Sequence, residues 1–188
     1  HPVLLPTPDQ IGPDDCYVPA GWFWSGGDRE ARESLPKQKV WVGGQVFRRH
    51  PVTNEEYLAF LHALVAEGRT NEALRHAPRE RGGTPGELGA LLCGFDGTSF
   101  TLPLLSDDGD ARWSPEWPVV MVDWDAARAY AAHVAQQTGQ AWRLPSELAW
   151  EKAARGVDGR AYPWGDSFDP SWACMKDSHP GVRTPRGI

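Results

Sequence analysis

The chain has 188 residues, 40% apolar and 23% charged, which suits one globular domain with a real core. Its 20 glycines and 17 prolines exclude coiled coils and helical bundles, and its 10 tryptophans supply too much buriable surface for disorder. The net charge of -6 leaves no global basic field for nucleic acid or anionic lipid, and no apolar run approaches the roughly 18 residues of a membrane span. Residues 1–15 read as an extended, proline-rich lead-in without a signal segment, so a cytoplasmic protein is expected. Cys16 to Gly27 reads as a short strand broken at Pro19-Ala20-Gly21, then an aromatic strand ending on a glycine turn. Lys39–Val42 and Gln45–Arg49 are β-rich runs around Gly43-Gly44, the pattern of a hairpin.

The next element is better signposted. Thr53 and Glu56 have capping-box spacing, and Tyr57, Phe60, Leu61, Leu64 and Val65 follow at helical spacing to a stop at Gly68. Residues 69–116 have weak periodicity and many glycines, as in a variable insertion, with a short helix expected at Gly86–Leu92 and a strand at Phe100–Leu105. Pro118–Val122 reads as a buried strand leading to Asp123, the cap of a helix Trp124–Thr138 with Ala127, Tyr130, Ala131 and Val134 inward. Ser146 caps a third helix, Glu147–Arg155, closed by Gly156.

Charge and cysteine add little by themselves. Arg75, His76, Arg79 and Arg81, like Arg183 and Arg186, read as solvated loop charge. Cys16, Cys93 and Cys174 are far apart and odd in number, unlike a secreted disulfide framework, and no paired spacing marks a soft-metal site. Cys16 and Cys93 read as small buried hydrophobes, and His50 and His133 as edge or surface residues. Trp172, Cys174, Asp177 and His179 form a candidate ligand-binding cluster: Cys174 is either a loop anchor or a reactive or metal-binding thiol favoured by Lys176 and His179.

Four stretches together resemble one family. They are Val18-Pro19-Ala20-Gly21, Pro51 to Phe60, Pro118-Val119-Val120 through Val122-Asp123-Trp124, and the run from Arg143-Leu144-Pro145-Ser146-Glu147 to Tyr162-Pro163-Trp164-Gly165-Asp166. This order resembles the formylglycine-generating enzyme (sulfatase-modifying factor) family over about 16–176. The resemblance implies an α+β, C-type-lectin-like fold of short twisted antiparallel strands, two to three helices and much irregular loop. One domain over 16–188, lacking its C-terminal part, is expected.

Asn54, Arg143, Glu147, Trp150, Glu151, Trp164 and Asp166 read as structural motif residues, with Arg143 pairing Glu147 or Glu151 and the two tryptophans wedging loops. The family's oxidases carry a downstream Gly-Asn-Val-Trp-Glu-Trp-like motif and a copper-binding cysteine pair, neither present in these residues. Cys174 stands where the family has an asparagine ligand to calcium, a soft atom where a hard oxygen is needed. Calcium or copper is therefore expected only if a C-terminal half supplies ligands, and the metal, if any, is left unassigned.

The leading expectation is a non-catalytic or accessory module binding a protein or small molecule, without nucleic acid or membrane partners. The sequence is similar to copies attached to bacterial serine/threonine kinases and to variable proteins of diversity-generating systems, so a kinase or other signalling domain in the same polypeptide is a candidate partner. The rival is a copper-dependent formylglycine-generating oxidase acting on a sulfatase cysteine.

Overall fold

A computed structural model describes residues 5–7, 11–28, 31, 33–84, 86–103 and 113–173. It has an α+β architecture of helices and short antiparallel strands, in two compact units. One unit joins the described residues before 51 to those after 144, and the other holds those between 51 and 144.

The first unit is built on β1 (Asp15–Val18), β2 (Gly21–Ser25), β3 (Gln38–Val42) and β4 (Gln45–Arg48). The expected hairpin between β3 and β4 does not form: β4 pairs with β1 and β3 with β2, both antiparallel. One register runs through both pairs, from Asp15 opposite Arg48 to Ser25 opposite Gln38. The turn of this long hairpin is therefore the 26–37 segment, where Gly26 and Gly27 adopt positive φ and the Gly27 N–H donates to Leu35 O at 2.8 Å. Gly43-Gly44 lies at a break facing Pro19-Ala20. A Cβ on Gly44 would fall 2.6 Å from the Tyr17 hydroxyl, so a larger residue there requires the Tyr17 ring to shift.

Helix α4 (Glu147–Arg155) follows in this unit, capped as expected by Ser146 Oγ, which accepts from the Ala149 N–H. It closes a small core of Phe23, Val42 and Ala149 with Val40, Phe47 and Leu148 around it. The polar face is as important as the apolar one. Lys152 is almost fully buried, and its ammonium donates to Pro19 O at 2.6 Å, Gly21 O at 3.1 Å and Val42 O at 3.3 Å. These carbonyls lie at and beside the break in the hairpin.

The second unit contains α1 (Asn54–Ala66), α2 (Thr70–His76), β5 (Gly94–Phe95), β6 (Phe100–Thr101) and α3 (Trp124–Thr138). The capping box forms with both of its hydrogen bonds, Glu56 N–H to Thr53 Oγ1 and Thr53 N–H to Glu56 Oε2 at 2.9 Å. Asp123 caps α3 through Ala126 N–H at 2.7 Å, and Gly139 ends it in the left-handed conformation. The core gathers Tyr57, Phe60, Leu61, Leu64, Ala73, Ala77, Cys93 and Phe100.

Several expectations fail here for identifiable reasons. Helix α2 has no side-chain cap to announce it. Residues 86–92 are not helical: Leu91 bridges Arg79, and Gly89 passes so close to Glu80 that a Cβ would meet the Glu80 carbonyl at 2.0 Å. The 118–122 run forms no strand: it makes an isolated bridge between Pro118 and Thr53, and Met121 O accepts from the Arg79 N–H. Val120 and Met121 are exposed, and Met121 turns to φ 60° as the chain swings into the Asp123 cap. The inward stripe of α3 centres on Ala126, Ala129 and Tyr130, and His133 lies 5.2 Å from the Phe60 ring. Arg79 is not solvated loop charge. Its guanidinium donates to Gly89 O and Leu74 O, ending α2.

Burial pushes up the pKa of the Tyr57 hydroxyl, reinforced by the Asp123 charge, and also raises that of the Cys93 thiol. In each case the folded pKa lies above the unfolded one, so the stability is present below the unfolded value and is lost as pH rises. Stability to urea is expected to hold up to about pH 8 and decline above the ordinary cysteine value of about 8.5. Cys93→Ala should flatten the first part of that decline. A wild-type slope that Cys93→Ala leaves unchanged would show that the thiol plays no part.

Candidate functional site

The period of β-structure decides which tryptophans face out. Along β2, Phe23 and Ser25 are buried while Trp22 and Trp24 are exposed, and along β3, Val42 is buried while Lys39 and Trp41 are exposed. The register sets Trp22 opposite Trp41 and Trp24 opposite Lys39, so all four share one face. Trp22 and Trp41 meet edge to face at 5.6 Å and 76°. Lys37 Nζ lies 5.2 Å from the centre of the Trp24 ring and Lys39 Nζ lies 6.0 Å from it, cation–π geometry in both cases.

This face is held from behind by α4. Glu151 accepts from the Ser25 hydroxyl at 2.6 Å, the Gly26 N–H at 2.9 Å and Arg155 Nη1 at 2.7 Å. The turn after the helix approaches so closely that a Cβ on Gly159 would sit 3.0 Å from Trp24 Cβ and 3.2 Å from Lys37 Nζ. The outcome is a surface of three tryptophans, exposed by 54% (Trp22), 37% (Trp24) and 41% (Trp41), on a rigid support.

A second aromatic group occupies the turn after α4. Tyr162 stacks on Trp164 at 5.4 Å, and Trp172, on the 3-10 turn Pro170–Trp172, meets Trp164 edge to face at 6.0 Å. The Trp164 indole N–H donates to Ser167 O, and Asp166 accepts from the Ala161 N–H. Trp172 is exposed, as is Phe168 beside Tyr162. Of the candidate ligand cluster, Trp172 alone is described; Cys174, Asp177 and His179 lie outside the described residues.

The remaining motif residues take different places. Asn54 is buried, its side-chain amide donating to Ser114 O at 2.9 Å. Arg143 and Glu147 are exposed, and Glu151 is paired not by Arg143 but by Arg155, one turn further along the same helix. Trp150 is 62% exposed and wedges no loop of its unit. Lys152 was invisible as a site-forming residue in sequence, because its partners lie 110 to 133 positions away.

The two described thiols do not form a copper pair. Cys16 is exposed on β1, whereas Cys93 is buried in the other unit and burial favours its protonated form. Neither has a second cysteine in its unit among the described residues, and copper(I) favours paired thiolates. Among the described residues no group of three or more His, Cys, Asp or Glu side chains is placed to hold a metal ion, and no helix is long and apolar enough to cross a membrane.

The sequence profile of the sulfatase-modifying factor enzyme 1-like domain matches residues 2–181. Inactive C-alpha-formylglycine-generating enzyme 2 of Bos taurus is 49% identical over 171 residues, covering 82% of this chain and 53% of that protein. The formylglycine-generating enzyme of Mycobacterium tuberculosis is 29% identical over 192 residues, covering 87% and 58%. Serine/threonine-protein kinase Pkn1 of Chlamydia trachomatis is 28% identical over 186 residues, covering 96% of this chain and 26% of the kinase. PvdO from Pseudomonas aeruginosa superposes with a TM-score of 0.54 at 24% identity, over 89% of this chain and 55% of that one, which shows a shared fold. The chain thus spans between about a quarter and just over half the length of these relatives.

Proposed function

The chain belongs to the family of sulfatase-modifying factor enzyme 1-like domains, and from that premise we propose that it is a non-catalytic binding module of that family. The observation that carries this reading is the outward set of Trp22, Trp24 and Trp41 on a hairpin whose inner face and ends are locked by α4. Large aromatic side chains left exposed on a rigid element are typical binding anchors, because little conformational entropy remains to be lost on contact. The likeness to a relative named as inactive supports the non-catalytic part, and the likeness to kinases supports a signalling context, with a kinase domain as a companion in the same polypeptide. Trp172, exposed beside Trp164, extends the aromatic display of the unit.

Two measurements test the reading. Incubating the chain with copper(I), oxygen and a Cys-x-Pro-x-Arg peptide should leave the peptide mass unchanged; formation of the aldehyde would replace this reading with the oxidase. The double variant Trp22→Thr/Trp41→Thr should lose no more than about 1.5 kcal/mol of stability, the value of one aromatic pair. A loss of about 3 kcal/mol or more would mark both rings as structural rather than displayed.

A further inference from the structure

We propose that the outer face of the β2–β3 hairpin docks an extended acidic segment of a partner protein. An apolar side chain of that segment enters the angle between Trp22 and Trp41, and a carboxylate two residues further on meets Lys37 and Lys39. The inference rests on the binding-module reading and names its ligand class.

The spacing comes from the strands themselves. Trp22 and Trp24 are two positions apart on one face, and the same-face repeat of a strand is about 7 Å. A peptide lying extended along this face repeats at the same interval, so side chains two apart in the ligand fall over side chains two apart in the ribbon. The two zones of the face differ in chemistry. Trp22 and Trp41 stand at 76° to one another, an angled slot that suits a single side chain better than the broad plane of a sugar ring. Trp24 is committed to the lysines and serves to hold their ammonium groups.

The charge pattern selects an acidic partner. Lys37 and Lys39 both place an ammonium within about 6 Å of the centre of one indole ring, so two like charges share that ring. No ion pair joins either lysine to a carboxylate among the described residues. Gly159 packs against Lys37 and Trp24 from the helix side, where any larger residue would push the ammonium away. This local positive site sits on a chain of net charge -6, so it is opposite in sign to the protein as a whole. A ligand carboxylate supplies a counter-charge that both ammonium groups can share. Two lysines are too few to track a phosphate backbone, which argues against nucleic acid.

The test uses the full 188-residue chain and a fluorescein-labelled peptide, Ser-Phe-Ser-Glu-Ser-Phe-Ser-Glu-Ser, followed by fluorescence anisotropy. Saturable binding is expected, weakened about five- to tenfold when both Glu become Gln, by the same factor in Lys37→Gln/Lys39→Gln, and further by raised salt. Trp22→Thr/Trp41→Thr should weaken it at least about tenfold. Failure of the peptide to bind overturns the proposal, as does equal binding of the Gln peptide or full binding by the lysine variant. Equal binding of the Gln peptide that the tryptophan variant abolishes would discard the acidic ligand but keep the displayed surface. Binding of dextran sulfate without binding of the peptide would transfer the site to a polyanionic polysaccharide. The binding-module reading itself falls separately, by aldehyde formation or by unfolding of the tryptophan variant.

Discussion

Glu151→Ala is expected to destabilise the first unit by about 3–4 kcal/mol, while Glu147→Ala, one turn earlier on the same helix, stays within about 0.5 kcal/mol. The difference is one of partners. Glu151 collects the Ser25 hydroxyl, the Gly26 N–H and the Arg155 guanidinium, and the side chains of the Glu151–Arg155 pair are 17% and 13% exposed. Removing the carboxylate leaves a mostly buried cation and a buried hydroxyl without their acceptor, which is why the cost exceeds that of a surface pair. Glu147 is exposed and its loss removes no such contact. A fall of roughly 6–16 °C in melting temperature should follow for Glu151→Ala at this chain length. Equal melting of the two variants would show that the Glu151 network carries no net stability.

Lys152→Met should cost about 3 kcal/mol for a related reason. The three carbonyls of Pro19, Gly21 and Val42 lose their donor, and methionine fills the volume without replacing it. The sign of the pH dependence is opposite to that of Tyr57 and Cys93. Burial lowers the pKa of Lys152, so between its folded value and the unfolded value of about 10.4 the unfolded chain holds more protons. The wild-type advantage over Lys152→Met should therefore widen as pH rises toward 10. A gap that narrows over that range would mean that the ammonium is stabilised by its carbonyl cage beyond its desolvation cost.

Both variants act on the support beneath the aromatic face rather than on the face itself. Glu151 holds the end of β2 at Ser25 and Gly26, and Lys152 holds its start at Gly21. Neighbouring residues of one helix thus fix the strand that presents Trp22 and Trp24. Loss of ligand binding in either variant should track loss of folding, whereas the lysine and tryptophan variants of the outer face should lose binding while remaining folded.

What the sequence determined by itself was local. Thr53, Asp123 and Ser146 start their helices because each cap bond spans three residues, and Gly139 and Gly156 end theirs because the backbone at each glycine leaves the helical region. The family, and with it the fold class, was legible for a similar reason: its motifs are short runs whose order survives in the chain. Tertiary structure alone decided the rest. Gly43-Gly44 looked like a hairpin turn because strand propensity carries no record of which strands pair, and the real turn proved to be the longer 26–37 segment. Arg143 looked like the partner of Glu151 because it is close in sequence, yet Arg155 is reached by the helical repeat. Lys152 became a structural centre only when segments more than a hundred residues apart met, and Trp22, Trp24 and Trp41 became one surface when β2 paired with β3. Burial and partnership are properties of that meeting, and no residue carries them alone.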